Sequence, residues 1–120
     1  MSEHPPEAVP TQLRLRTRSR VLEVTFAADE RYELPFEYLR VHSPSAEVKG
    51  HGPGQETLVV GKQDVQIREV EPIGQYAVRL VFDDGHDTGL YSWKYLRELG
   101  REYAANWRRY LDRVAGAGRR

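Results

Sequence analysis

From residue 11 onward, apolar positions come in short alternating bursts. Leu13 and Leu15 are interleaved with Arg14 and Arg16, the period-two pattern of a half-buried strand. After a turn at Arg18-Ser19-Arg20, the β-branched run Val21-Leu22-Glu23-Val24-Thr25-Phe26 predicts a second strand. A hairpin turn at Ala27–Glu30 leads to a short third strand, Arg31–Leu34. Pro35 ends that strand and suits the first position of a helix, so a short helix is expected over 36–41. Phe36 and Leu39 lie three residues apart and would share its core face. Residues 42–54 hold three glycines, two prolines and two histidines, and read as the longest loop inside the domain, either functional or mobile. Leu58-Val59-Val60 predicts another short strand. Val65, Ile67 and Val70 predict the next, with a slip near Glu69 that suggests a bulge. A turn is expected at Glu71-Pro72-Ile73-Gly74. The segment Tyr76–Phe82 is the strongest strand pattern. Tyr76, Val78, Leu80 and Phe82 fall on one face, and a central place in a sheet is expected. Asp83–Asp87 reads as a tight polar turn in which Gly85 supplies a positive φ, and Thr88–Tyr91 as one more short strand.

The period then changes. Ser92 is a good N-cap, and Leu96, Leu99, Tyr103, Trp107, Leu111 and Val114 recur at spacings of three and four, one apolar helical stripe. Gly100 inside it costs about 1 kcal/mol relative to alanine, so two helices kinked there fit as well as one. Six or seven short strands, a short helix and a C-terminal helix exclude a regular βαβ winding. They predict an α+β fold with mainly antiparallel pairing. With 120 residues there is room for one domain, expected over 11–115 between a disordered tail at 1–10 and a loose one at 116–120.

Composition narrows the chemistry. The chain has no cysteine, which removes disulfides, thiolate nucleophiles and cysteine-held metals. Its N-terminus lacks the basic and apolar features of a secretory signal, and nowhere do about 18 apolar residues run together, so a cytoplasmic protein is expected. Net charge is zero but segregated. Residues 1–22 carry four arginines against two glutamates, 23–87 six basic against 13 acidic residues, and 88–120 eight basic against three acidic. Either these charges simply solvate the surface, or a basic face built from both chain ends attracts an acidic partner or a phosphate.

No catalytic signature stands out. No serine sits in a Gly-x-Ser-x-Gly setting, Gly54 and Gly61-Lys62 lack phosphate-loop spacing, and Asp83-Asp84 reads as a turn former. His42, His51 and His86 lack paired metal-ligand spacing, and surface histidines bonded to backbone are the simpler account. Tyr91, Trp93, Tyr95, Tyr103, Trp107 and Tyr110 cluster near Arg97, Arg108 and Arg109. Tyr103 and Trp107 fit the core. Trp93 and Tyr110 fall off the stripe and would be exposed, as suits a protein interface. Single-stranded nucleic acid is a further candidate for that surface, which zero net charge speaks against.

Three stretches read together carry a resemblance: Leu34-Pro-Phe-Glu-Tyr-Leu-Arg-Val-His-Ser-Pro-Ser-Ala-Glu-Val48, Ile73-Gly-Gln-Tyr-Ala-Val78 and Phe82-Asp-Asp-Gly-His-Asp-Thr-Gly-Leu-Tyr-Ser-Trp-Lys-Tyr-Leu96. Over residues 11–100 the chain resembles the gamma-butyrobetaine-hydroxylase-like N-terminal domain. The resemblance implies a domain found alone in small bacterial proteins, fused to P-loop iron–sulfur cluster carriers, or preceding an iron/2-oxoglutarate barrel that does the hydroxylation. In the hydroxylases it implies a structural zinc held by three cysteines and a turn histidine. Here those positions are Ser43, Ser45, Val48 and His86, so no zinc is expected from that set. The resulting expectation is a non-catalytic accessory domain without a cofactor, binding a protein partner such as an iron–sulfur carrier. Its surface would be built from Arg40, His42, Ser43, Ser45, His51, Asp84, His86, Asp87 and Trp93. The alternatives are a protein that binds zinc or iron weakly through His86 with His42 or His51, and a small enzyme with an unrecognised site.

Overall fold

The computed structural model describes residues 9–27, 29–50 and 56–118. Residues 1–8 of the tail expected over 1–10, and His51, lie outside them. Two three-stranded antiparallel sheets and four helices make an α+β fold. The first sheet is a meander of β1 (Gln12–Arg16), β2 (Val21–Thr25) and β3 (Arg31–Pro35), in that order. Its register pairs Leu15 with Leu22 and Leu22 with Leu34. Helix α1 (Phe36–Val41) starts directly after Pro35, and α2 (Ala46–Lys49) is a single turn capped by Ser45. The second sheet has the order β4 (Ile67–Ile73), β5 (Ala77–Phe82), β6 (Leu90–Ser92). Helices α3 (Trp93–Arg101) and α4 (Tyr103–Gly116) close the chain.

Leu22, Val24, Leu34, Phe36, Tyr38, Leu39, Val78, Leu80, Phe82, Tyr91, Leu96 and Leu99 form one buried core shared by both sheets, α1 and α3. Three tyrosines stitch it. The hydroxyls of Tyr38, Tyr91 and Tyr95 donate to the carbonyls of Leu99 (2.7 Å), Leu39 (2.5 Å) and His42 (2.6 Å). The last two satisfy carbonyls at the C-terminus of α1 that a helix of this length leaves unpaired. A smaller cluster of Val41, Tyr110 and Val114 packs against Leu58, Val59 and Val60.

Most expected elements are present: the central strand β5, the slip between Ile67 and Glu69, the Ser92 cap and the burial of Phe36 and Leu39. Several details differ. Leu58–Val60 is not a strand. The Tyr110 hydroxyl donates to the Val59 carbonyl at 2.7 Å, so this apolar run pairs with a helix side chain instead of a ladder. The turn expected at 71–74 is strand up to Ile73, because β4 is an edge strand and tolerates Pro72. Tyr76 precedes β5 and is 69% exposed. The apolar stripe is two helices, broken at Glu102 rather than Gly100. Gly100 is inside α3 because Tyr32 lies against it: a Cβ there would meet ring atoms at 2.4–2.7 Å. Tyr110 is 4% exposed, not a surface aromatic. It follows Trp107 by three residues, so it joins the same buried face. Trp93 is half-buried, its indole N–H donating to the Gln75 carbonyl at 2.7 Å.

Candidate functional site

The segment after α1 folds back as Ser43-Pro44-Ser45 into the cap of α2, and this brings it against the turn at 83–88. The Glu47 carboxylate lies 3.0 Å from His86 Nδ1. A carboxylate only accepts, so Nδ1 carries the proton and Nε2 of the neutral ring presents its lone pair. That lone pair faces Ser43 Oγ at 2.8 Å, and the Ser43 hydroxyl donates to it while accepting from the Ser45 N–H at 3.2 Å. Ser45 Oγ bonds Thr88 Oγ1 at 2.7 Å and accepts from the Glu47 N–H. Burial and the nearby Arg40 guanidinium hold the His86 ring below the ordinary histidine range. In the same turn the Asp84 carboxylate accepts from Lys62 Nζ at 2.7 Å, Arg40 Nε at 2.8 Å and the His86 N–H at 3.1 Å. Burial alone would raise its pKa, but these donors bring it down to about 2. Arg40 Nη1 is buried without a hydrogen-bond partner among the described residues, and the guanidinium lies 6.0 Å from the Phe82 ring centroid.

Serine, histidine and carboxylate stand here in the hydrogen-bond order of a hydrolytic triad. A nucleophile must meet its substrate, however, and Ser43 is 0% exposed. The network is a structural joint between 43–47 and 83–88 in which Ser43, Ser45 and His86 are buried while Glu47 and Thr88 face solvent. The same geometry tests for zinc. Ser43, Ser45, Val48 and His86 are all buried, and the first three lie within one short stretch beside the histidine. Their donors are two hydroxyls, a hydrocarbon and a ring with both nitrogens engaged, which does not fit a zinc ion. Among the described residues, no three histidine or carboxylate side chains are grouped to hold a metal.

The open surface lies on the other side of the 41–49 segment. A cavity of about 590 Å³ separates that segment and residues 56–59 from α4. Lys49, Arg109 and Arg113 line it against the one carboxylate of Glu56, with Val41, Val48, Leu58 and Tyr110 as apolar lining. Arg109 Nη1 donates to Asn106 Oδ1 at 2.9 Å, and Asn106 Nδ2 donates to the Tyr38 hydroxyl at 3.1 Å, which positions the guanidinium. His42 borders the cavity. Its Nδ1 donates to the Tyr38 carbonyl at 3.0 Å, and burial together with the charges of Lys49, Arg109 and Arg113 lowers its pKa.

The expected site residues thus separate. Ser43, Ser45, His86, Arg40 and Asp84 belong to the joint. Asp87 is near the β4–β5 face, with its carboxylate 3.4 Å from Arg79, and Trp93 sits by the β4–β5 turn. Of that set, His42 and Ser43 border the cavity. Glu47, Thr88, Lys49, Asn106 and Arg113 were not expected, and Arg109 was expected only beside the aromatic cluster of the C-terminal segment. A legible signal existed for three of them: Asn106, Arg109 and Arg113 recur at spacings of three and four, one polar face of α4.

Fold and site together describe a small α+β domain with an internal polar joint and one cationic cleft. The model of the gamma-butyrobetaine hydroxylase-like, N-terminal family matches residues 13–97, and the chain belongs to that family. Two proteins with NMR solution structures are similar to it. One is 47% identical over 93% of this chain and 88% of its own, with a TM-score of 0.81. The other is 46% identical over 100% and 89%, with a TM-score of 0.83. A crystal structure from Acidithiobacillus ferrooxidans ATCC 23270, of a protein with unknown function in the DUF971 family, is 43% identical over 76% of this chain and 91% of its own, with a TM-score of 0.64. No curated protein matches the chain.

Proposed function

We propose that this chain is a non-catalytic accessory domain that works by binding a protein partner through the cleft beside α4. One observation carries this reading. The eleven ion pairs among the described residues engage none of Lys49, Arg109 and Arg113, so among those residues the cleft presents three cations against the single carboxylate of Glu56, which pairs with none of them. Unpaired cations around a recess steer and hold an acidic partner. The sealed Ser43 hydroxyl supports the absence of chemistry in the same region. The partner class favoured by the family resemblance is a P-loop iron–sulfur cluster carrier. The test is size-exclusion chromatography of the chain mixed with the purified carrier of the same organism. A co-eluting complex that disappears with Arg109→Glu/Arg113→Glu supports the reading, and separate elution at every concentration contradicts it.

A further inference from the structure

The cavity continues past His42. A second hollow of about 360 Å³ shares His42, Lys49, Asn106 and Arg109 with the first and extends to Tyr95, Glu98 and Glu102. The two form one groove along α4. Arg113 and Glu102 mark its ends, and eleven residues of helix separate them by about 16 Å. That length matches about five residues of extended chain. A compact metabolite would leave one end of such a groove empty.

The ends differ in charge. Lys49 and Arg109 line both hollows; among the described residues the first adds Arg113 and Glu56, while the second adds Glu98 and Glu102, so the Arg113 end is net positive and the Glu98–Glu102 end is balanced. Among the described residues neither Glu98 nor Glu102 is ion-paired. Val41 and Val48, largely buried, and the half-buried Leu58 give the first hollow an apolar wall. His42 Nε2 has no hydrogen-bond partner among the described residues. With Nδ1 donating to Tyr38, it is left as an acceptor for a backbone N–H. A phosphate-rich strand would gain nothing from the two glutamates, whereas a peptide can match both signs.

We infer that this groove binds a short linear segment of the protein partner, with acidic side chains at the Arg109–Arg113 end, an apolar residue in the middle and a basic group at the Glu98–Glu102 end. This rests on the binding reading above.

The probe is a labelled peptide of about five residues, the span the groove admits, with lysine first, leucine in the middle and two aspartates last, followed by fluorescence anisotropy. Binding should saturate and weaken at least about tenfold in Arg109→Gln/Arg113→Gln, whose side chains are exposed and whose loss leaves the fold intact. Replacing the peptide lysine by alanine should weaken binding to the unaltered chain and have no effect with Glu98→Gln/Glu102→Gln, because that pair is then already lost. Equal affinity for a peptide with serines in place of the aspartates would overturn the inference. So would tighter binding of a single-stranded oligonucleotide. A change in groove NMR signals on deleting residues 1–8 would also overturn it, since that stretch carries Glu3 and Glu7 and would itself be the occupant. If the carrier complex forms and is lost in Arg109→Gln/Arg113→Gln while the peptide does not bind, the inference fails and the binding reading stands. If the peptide binds and no carrier complex forms, the choice of partner fails instead.

Discussion

Replacing Ser43 by alanine separates a structural joint from a catalytic site. The substitution removes one oxygen that is 0% exposed, that bonds His86 Nε2 at 2.8 Å and the Ser45 N–H at 3.2 Å, and that lies beside the Tyr91 hydroxyl, which keeps its bond to the Leu39 carbonyl. The first two groups lose their partner where water does not reach, and a buried unsatisfied group costs about 1–3 kcal/mol. The Ser45 N–H lies at the N-terminus of α2 and recovers part of this by small shifts, so the expected total is about 2–4 kcal/mol. For a domain of this size that is a fall in Tm of roughly 10–15 °C. Urea unfolding followed by circular dichroism measures it directly, with the m-value unchanged. Ser43→Cys should fall between the two, since a thiol is a weak donor in the same place. A variant as stable as the parent would refute the joint. Labelling of Ser43 by a fluorophosphonate would refute its seclusion and reopen the enzymatic alternative.

Other outcomes follow from the same geometry. The buried His86 and the half-buried His42 both have lowered pKa values, so the unfolded chain takes up protons first as pH falls. Their stabilisation is complete above the ordinary value of 6.5 and is lost between that value and the lowered one. Unfolding free energies from pH 7.5 to 5 should therefore decline. His42→Gln/His86→Gln should flatten the profile, and an unchanged slope would contradict the assignment. Gly100→Ala should destabilise by about 1–3 kcal/mol, because the new methyl would overlap the Tyr32 ring. Tyr32→Ala in the same background should recover part of that, and additive effects of the two would speak against the clash. Tyr110→Phe should cost about 1 kcal/mol and speed amide exchange over 56–60, since only its hydroxyl ties the Val59 carbonyl to α4.

The alternation of Val78, Leu80 and Phe82 and the stripe of Leu96 and Leu99 were enough to place the second sheet and α3. Local periodicity reports which face is buried. The missed details depended on partners distant in sequence. Nothing local to Leu58-Val59-Val60 says that Tyr110 will claim its carbonyl, and nothing near Gly100 says that Tyr32 will fill the space beside it. The site divides the same way. The resemblance correctly grouped 43–48 with His86, but it could not show that serine, histidine and Glu47 would close on one another. The cationic cleft was hidden because Lys49 and Arg109 are 60 positions apart; its traces were the segregated charge of the C-terminal third and the spacing of Asn106, Arg109 and Arg113.

The most direct measurement is a chemical-shift map of the ¹⁵N-labelled chain titrated with the purified iron–sulfur carrier. The account predicts saturable shifts centred on His42, Lys49, Asn106, Arg109 and Arg113, abolished by Arg109→Gln/Arg113→Gln, with the Ser43 and His86 amides following only weakly. Unperturbed spectra at excess carrier, or shifts confined to the β1–β2–β3 sheet, would contradict it.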